Sequence, residues 1–309
     1  YSLYIAIFKL YISCKISKIS YMEFKMIELS TNISNYEQLI STDLTAYDAI
    51  YLGDVTCPLY PNNFCSDTKD LENAITFLKN LNKKCYLRLY AVPENKDMQW
   101  MRKLIQRAIE LKVDAFEAHN LGVLLILKEF KNIIPIHFGV FGNIYTIETI
   151  KVLQNYGVTR VQPSPELSIE ESIFIKDETP ISTVFAVHGK IPLVASETCF
   201  IMEQNGNDES NCGFACSKDH WLTRQQGEWS MKDTGRMTLS GKDLCMVEHI
   251  EELLSKGVKN FYIQSHGESS EFIETTGKIY KDVINKSLNN EKISYETPLE
   301  TLSSLAHEG

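Results

Sequence analysis

The chain has 309 residues and a mass of 35.3 kDa, with 44% hydrophobic and 23% charged side chains. These are the proportions of an ordinary globular protein, and they exclude a disordered chain, a collagen-like repeat and a long coiled coil. The 40 acidic residues outnumber the 31 basic ones, which gives a net charge of −9. Because phosphate binding needs a basic face, we expect no nucleic-acid partner.

The first 25 residues differ from the rest of the chain, because Ile and Tyr alternate there with Lys and Ser. Lys9 and Lys15 interrupt every apolar run before it reaches the ~18 residues of a membrane span, so no transmembrane segment is predicted. No basic stretch precedes an apolar core, and no small-residue cleavage site follows one. We expect residues 1–25 to be non-native upstream translation, with the start at Met22 or Met26; an interfacial anchor is the alternative. We therefore expect a cytoplasmic protein with reduced thiols.

Short apolar runs alternate with amphipathic segments of helix length throughout the expected domain, residues 26–288. Strands are predicted at 46–53, 85–92, 114–120, 134–140, 183–189, from 159 onward and at the start of 260–267. Helices are predicted at 69–84, 98–113, 121–132, 148–158, 270–288 and late in 240–257. The units recur every ~25–30 residues without a Gly-rich phosphate loop, which favours a TIM-like α/β barrel over a dinucleotide-binding fold. Residues 289–309 are expected to be a frayed polar tail.

The segment 184–216 interrupts this alternation with a polar run at 204–211 that has cysteines near its ends. We interpret it as a cysteine-bearing insertion in the barrel. The residues SGKDLC at 240–245 are interpreted as a loop that leads into the next helix. Lys242 and Asp243 are then expected at a solvated helix start, where Asp243 would be the cap.

Four cysteines could form one ligand set. Cys199, Cys212 and Cys216 are clustered, whereas Cys57 follows a predicted strand, where a barrel presents its loops. Four thiolates hold iron–sulfur clusters and also structural zinc, and the third possibility is that these cysteines are unrelated. Zinc ribbons use two short pairs, and only Cys212 and Cys216 form one, so the spacing favours a cluster. The other cysteines beyond the leader are Cys65 and Cys85, which look ordinary, and Cys245, which follows a predicted turn.

Several other polar side chains follow predicted strands and are candidates for the barrel pocket. They are His119, His137, His188, Glu117 and Glu166, with Asn143 and Tyr145 as further candidates for the mouth. For each histidine taken singly, a hydrogen-bonded structural role is the alternative. No Ser-His-Asp or Cys-His arrangement stands in a recognisable motif, so the residues do not predict a peptidase.

Three segments of the chain resemble peptidase family U32, which is also called collagenase-like. They are TVFAVHGKIPLVASETCF (183–200), NCGFACSKDHW (211–221) and MTLSGKDLCMVEHI (237–250). The upstream run VTRVQPSPELSIEE (158–171) is similar to a further element of the family, and AIYLG (49–53) is similar to its first strand. The resemblance extends from residue 27 to about residue 288, and it implies an α/β barrel.

Within the family, the chain is most similar to the ubiquinone-biosynthesis branch, UbiV. The similarity rests on HGKIPL (188–193), on Val184 where other branches have Glu, and on the cysteine in YLGDVTCP (51–58). It implies a 4Fe–4S cluster on Cys57, Cys199, Cys212 and Cys216, with Cys245 as the alternate fourth ligand and zinc as the alternative metal. It also implies oxygen-independent hydroxylation of a quinone precursor in a heterodimer with a UbiU-like paralogue.

Three alternatives to this function remain open at the level of the sequence. Other branches of the family suggest a peptidase or an RNA-hydroxylation protein. The acidic balance of the chain disfavours the RNA alternative. The third alternative is a zinc-stabilised scaffold that only binds a partner.

Overall fold

The computed structural model describes residues 27–60, 63–64, 68–227 and 229–306. The predicted leader, residues 1–25, and Cys65 lie outside the described residues. The strands in chain order are β1 Glu28–Ile33, β2 Ala49–Leu52, β3 Lys84–Arg88, β4 Ala115–Ala118, β5 Ile136–Phe138, β6 Val158–Val161, β7 Ser182–Thr183, β8 Phe185–Ala195, β9 His220–Thr223, β10 Ser230–Asp233, β11 Met237–Cys245 and β12 Asn260–Ile263.

Parallel strands close into a ring. β1 to β7 pair in sequence order, and β12 pairs with β1 on one side and with the start of β8 on the other. Only Val184 separates β7 from β8, and its N–H donates to the carbonyl oxygen of Val161 at 2.9 Å. β7 and the start of β8 therefore act as one barrel strand, which makes eight in all. The predicted TIM-like α/β barrel is confirmed.

The α-helices follow the strands around the ring. Their bounds are Tyr36–Ser41, Thr68–Asn80, Met98–Glu110, Leu121–Lys128, Ile147–Asn155, Ile169–Glu178, Phe200–Gln204, Ile250–Ser255, Ser270–Leu288 and Glu296–Leu305. Five of them begin after a residue whose side-chain oxygen accepts a backbone N–H, namely Asn35, Asn120, Thr146, Ser168 and Ser269. Such caps satisfy N–H groups that the first turn leaves without a partner. Within the described residues, no helix has both the length and the apolar character that a membrane crossing requires.

The core has two layers because successive strand residues point to opposite faces of the sheet. The large outer layer, which includes Ile50, Leu87 and Phe116, packs between the strands and the helices. A small inner cluster fills the ring and includes Tyr51, Tyr86 and Tyr262. Polar side chains continue from this cluster toward the rim.

An antiparallel extension leaves the barrel where β8 runs on past the ring. The part of β8 from His188 onward pairs with β11, which pairs with β10, and β10 pairs with β9. The prediction that 240–245 is a loop is wrong, because these residues form the end of β11. Irregular register at Leu239/Asp243 accommodates Gly241 within the strand. This extension carries Cys199, Cys212 and Cys216.

Two further expectations differ from the structure. The strand at Ala49–Leu52 is the second strand of the barrel, because β1 precedes it. The sequence of β1, ELSTNI, shows little apolar alternation. Its Ser30 and Thr31 are nevertheless buried, because their hydroxyl groups donate to backbone carbonyl oxygens of β12. The tail was expected to be frayed, yet it contains the helix Glu296–Leu305. Leu302 is buried there, because a leucine at every third position gives this helix an apolar face.

Candidate functional site

The polar residues that the barrel brings together lie at the rim formed by the carboxyl ends of its parallel strands. In barrels of this kind the chemistry takes place at that rim. Arg88 ends β3, and its Nε donates to Oε2 of Glu117 on β4 at 2.8 Å. The same carboxylate oxygen lies 3.0 Å from Nε2 of His119. All three residues are buried.

We call Arg88, Glu117 and His119 the rim triad; burial and the mutual electrostatic interactions of these three side chains set their pKa values. Burial alone raises the pKa of Glu117, but Arg88 and His119 outweigh it and lower that pKa to about 2. Burial lowers the pKa of His119, although Glu117 opposes the effect. Nδ1 of His119 is buried, and no described residue forms a hydrogen bond with it. The triad therefore presents a carboxylate, a guanidinium and an imidazole at the rim.

A second polar pair joins the loops that follow β2 and β12. Oδ2 of Asp54 lies 3.1 Å from Nδ1 of His266, and both residues are buried. Oδ1 of Asp54 accepts the backbone N–H groups of Thr56 at 2.7 Å and Cys57 at 2.8 Å. This turn, in which an Asp side chain accepts N–H groups two and three residues on, fixes the backbone of Cys57.

Cys57, Cys199, Cys212 and Cys216 line one pocket, which is shared with apolar side chains and Arg236. Cys57 comes from the loop after β2. Cys199 lies at the N-terminus of the helix Phe200–Gln204, and Cys216 lies in the 3-10 helix Ala215–Ser217. Segments distant along the chain thus bring the four predicted ligands to the same place.

Two thiols of this pocket, those of Cys57 and Cys216, have raised pKa values and are protonated at neutral pH in the absence of a metal. Burial raises the pKa of Cys57 to about 12, and the charge of Asp54 adds to the effect. Burial and the neighbouring Cys199 raise the pKa of Cys216 to about 11. A bound metal would replace these protons, so metal binding at this site must release them.

The surroundings of the pocket are suited to a bulky group held by thiolates. Gly235 has φ +90°, and a Cβ placed on it would lie 2.8 Å from Sγ of Cys199 and 3.6 Å from Cβ of Cys216. Arg236, whose side chain is 5% exposed, donates to the Tyr90 hydroxyl and to Glu209, both at 2.7 Å. Its charge opposes the negative charge that four thiolates would bring.

The donor set itself is the one that 4Fe–4S clusters and structural zinc share. The ionisable side chains around the pocket are the four thiols and Arg236. Across the parts of the chain that the structure describes, no three Cys, His, Asp or Glu side chains are positioned to hold a single metal ion. The residues fit a group bound by four separate thiolates that line a common pocket.

The other predicted candidates fall in different places. His137 is buried inside the ring, where Nδ1 lies 3.3 Å from the Tyr51 hydroxyl, and burial lowers its pKa to about 3. Glu166 is exposed and accepts a hydrogen bond from the Tyr145 hydroxyl. Cys245 is exposed at the end of β11, and it lines a different cavity from the four-thiol pocket.

His188 lines a small cavity together with Arg88 and Gln264, but its ring lies on the outer side of the strands in the structural role that was the alternative for each histidine. Its ring contacts Phe272 and Tyr280, between the strands and the helix Ser270–Leu288. The register between β8 and β12 shifts at this point, so His188 lies beside the outward-facing Ile263. The next residue, Gly189, has φ +98°, and a Cβ placed on it would lie 2.0 Å from the Gln264 carbonyl oxygen. Only glycine therefore fits at this irregular point of the strand.

Asp243 is not the solvated helix cap that the sequence predicts. It lies in β11 opposite Lys190, and its Oδ1 is 3.0 Å from Nζ of Lys190, with side-chain exposures of 8% and 2%. The antiparallel pairing of β8 with β11 creates this buried ion pair. Sequence reasoning also missed Arg88, Arg236 and His266; only their positions at or after strand ends could have drawn attention to them.

Comparisons with known proteins give one family model and several relatives. A model of peptidase family U32 matches residues 34–309. The chain is 25% identical over 313 residues to tRNA hydroxylation protein P of Haemophilus influenzae, a match that covers 85% of this chain and 68% of that protein. It is 27% identical over 263 residues to a protein of Methanocaldococcus jannaschii named as an uncharacterized protease, with coverages of 82% and 63%.

A third relative is the 23S rRNA 5-hydroxycytidine synthase of Escherichia coli, at 23% identity over 242 residues. That match covers 77% of this chain and 36% of the relative. The chain thus spans between about one third and about two thirds of the lengths of these relatives. Because the family model extends from the first residue after β1 to the end of the sequence, the chain belongs to peptidase family U32.

Proposed function

We propose that this protein holds a 4Fe–4S cluster on Cys57, Cys199, Cys212 and Cys216 and takes part in oxygen-independent hydroxylation. The observation that carries the proposal is the common pocket of these four thiols. Asp54 lies between this pocket and the barrel rim, because it contacts Cys57 on one side and His266 on the other. Relatives named for hydroxylation of RNA support the reaction class.

A cluster bound here would supply redox or Lewis-acid chemistry, which amino-acid side chains lack. The protein's own residues have other tasks. Asp54 holds the backbone of Cys57 in place through a 2.8 Å hydrogen bond. Arg236, whose side chain is 5% exposed, would offset the negative charge of the thiolates. Arg88 and Gln264 are among the residues that line a small cavity at the rim, where their side chains would orient a polar group of the substrate.

For the substrate we propose a quinone precursor, with a UbiU-like paralogue as the partner in a heterodimer. The support is the similarity of HGKIPL (188–193) and of the cysteine in YLGDVTCP to the ubiquinone-biosynthesis branch. We also propose that the protein works in the cytoplasm, because four unpaired thiols available to a metal require a reducing compartment.

RNA hydroxylation is the second candidate function. Two of the relatives described above are named for hydroxylation of tRNA and rRNA, and they match 77–85% of this chain. The net charge of −9 speaks against it, since RNA binding draws on a basic face. A partner subunit could supply that face, so the substrate must be decided by experiment.

The cofactor is tested by anaerobic purification followed by iron, sulfide and zinc assays and a visible spectrum. We expect a brown protein with about four irons and four sulfides per chain, as a four-thiolate cubane requires. A colourless protein with one zinc ion would favour the scaffold alternative. Protein free of metal after strictly anaerobic handling would overturn the proposal.

The substrate is tested in a strain that lacks this gene and is grown without oxygen. Quinones and hydroxylated nucleosides are measured by mass spectrometry in the same cultures. We expect quinone content to fall and to be restored by the wild-type gene but not by Cys199→Ser. Loss of a hydroxylated nucleoside with normal quinone would establish the RNA alternative instead.

A further inference from the structure

Arg236 is the one charged side chain among the described residues that line the four-thiol pocket. It lies in the tight turn between β10 and β11, where the N–H of Thr234 donates to the carbonyl oxygen of Met237 at 2.8 Å. Two-residue hairpins of this kind favour glycine at their first central position, which Gly235 occupies with φ +90°. The turn therefore fixes the backbone of Arg236 at the wall of the pocket.

The Arg236 side chain joins the two parts of the chain that supply the thiols. Cys57 comes from the barrel, whereas the other three cysteines come from the antiparallel extension. Arg236 belongs to the extension, and it donates to the Tyr90 hydroxyl in the loop after β3 at 2.7 Å. In that loop the N–H of Ala91 donates to the carbonyl oxygen of Val55, two residues before Cys57, at 2.6 Å. Arg236 therefore holds the extension against the loop that carries Cys57.

Two acidic side chains of the extension also contact Arg236. Its Nη2 donates to Oε1 of Glu209 at 2.7 Å, and its Nη1 lies 4.0 Å from Oε1 of Glu197. The Arg236 side chain is buried, whereas both carboxylates are about half exposed. Because water screens exposed charges more than buried ones, the two carboxylates only partly cancel the positive charge of Arg236 at the pocket.

We propose that Arg236 is a positioning residue of the four-thiol site, which brings Cys57 together with the other three cysteines and makes the bound cluster easier to reduce. The inference rests on the proposed cluster and assigns a further residue to it. Four thiolates give the bound group a negative charge, and reduction adds one more. A buried cation beside them therefore raises the reduction potential, and Glu209 opposes this effect.

The ion pair of Arg236 and Glu209 allows an electrostatic role to be told from a structural one. Arg236→Gln and Glu209→Gln both break the pair, so a purely structural role predicts changes of the same sign in both variants. The electrostatic role predicts opposite signs: the reduction potential should fall in Arg236→Gln and rise, by a smaller amount, in Glu209→Gln. Arg236→Lys keeps the charge and should keep the wild-type potential.

The test uses the full chain purified anaerobically with its cluster, after iron and sulfide per chain have been measured. The potential is measured by a dye-mediated redox titration that follows the electron paramagnetic resonance of the reduced cluster. We expect the affinity for an electron to fall about tenfold in Arg236→Gln, which for one electron is about 59 mV. Lys242→Gln is the matched control, because it removes an exposed cation of β11 outside the four-thiol pocket, and it should keep the wild-type potential.

Tyr90→Phe tests the contact between the extension and the barrel separately. It removes the hydroxyl that accepts from Arg236 but leaves the charge in place. We expect iron per chain to fall during repeated gel filtration, whereas the cluster that is retained should keep the wild-type potential. Tyr295→Phe is the control, since it removes an exposed hydroxyl contact with Glu251 and should keep full iron. Full iron in Tyr90→Phe would overturn the positioning role.

The outcomes separate this inference from the proposed function. Wild-type protein without iron and sulfide would overturn the cluster and this inference with it. A loaded wild type, with potentials in Arg236→Gln and Glu209→Gln that are unchanged or shift in the same direction, would overturn the inference alone. If Arg236→Gln retains no cluster, Glu209→Gln decides, because it keeps the cation; an unchanged or lower potential there would overturn the inference.

Discussion

Oδ2 of Asp54 lies 3.1 Å from Nδ1 of His266, and this buried contact joins the loops after β2 and β12. The other carboxylate oxygen of Asp54 accepts the backbone N–H of Cys57. One side chain therefore connects the four-thiol pocket to the polar rim of the barrel. Burial lowers the pKa of His266, while Asp54 opposes that effect. A substrate at the rim would lie close to whatever the thiols hold.

The ligand assignment predicts which cysteines control bound iron. Cys199→Ala or Cys216→Ala should abolish cluster binding, because the loss of one of four thiolates opens an iron to solvent. Iron and sulfide per chain are measured after anaerobic purification. Cys85→Ala is the control, since Cys85 is buried in the outer core layer, and Cys245→Ala tests the alternate ligand. Full iron in both Cys199→Ala and Cys216→Ala would contradict the assignment.

Gly235→Ala should weaken both the fold and the cluster site. Its φ of +90° disfavours any side chain by about 1–2 kcal/mol, and the new Cβ would collide with Sγ of Cys199. Gly206→Ala is the matched control, because Gly206 also has a positive φ, while no atom of the described residues lies within 4 Å of the added Cβ. We expect the melting temperature to fall in both variants and the iron content per chain to fall only in Gly235→Ala. Equal iron in the two variants would show that the contact with Cys199 is unimportant.

The buried pair Lys190–Asp243 should show strong non-additivity in stability. Lys190→Met leaves the carboxylate of Asp243 buried without its cation, which costs about 3 kcal/mol of unfolding free energy. The double variant Lys190→Met with Asp243→Leu should recover much of that loss, as measured by urea unfolding. Lys286→Met, which breaks an exposed pair with Asp282, should change stability by less than about 1 kcal/mol. Simple additivity at 190 and 243 would mean that the two charges do not interact.

His188 should make the protein less stable in mild acid. Burial lowers its pKa to about 4, whereas an unfolded histidine titrates near pH 6.5, as a rule. Between these two pKa values His188 takes up a proton in the unfolded chain but not in the folded protein. The free energy of unfolding is therefore highest above pH ~6.5 and falls by up to about 3 kcal/mol as the pH drops toward ~4. His188→Gln should flatten the decline in unfolding free energy over this range. His249→Gln, at an exposed site, should leave the slope as in the wild type.

The barrel fold class can be predicted from the sequence alone. Apolar runs and amphipathic segments alternate with the periods of strands and helices, and this local pattern survives in the strands from Ala49 to Phe138 and in the helix Ser270–Leu288. The four cysteines of the shared pocket were also singled out from the sequence, three by their clustering and Cys57 by its place after a strand. The strand β1 escaped notice, because its polar Ser30 and Thr31 are satisfied only by carbonyl groups of β12, more than 200 residues away.

Tertiary structure decided which polar residues meet. The register shift at His188 turns its ring outward, and the pairing of β8 with β11 changes Asp243 from an expected helix cap into the partner of Lys190. Arg88 meets Glu117 because β3 and β4 pair with these two residues in register, and Asp54 meets His266 because β12, late in the chain, pairs with β1 beside β2. The local hydrophobic periodicity of the sequence indicates whether each element is a strand or a helix. Register and closure depend on contacts between distant segments, and these set the rim and the four-thiol pocket.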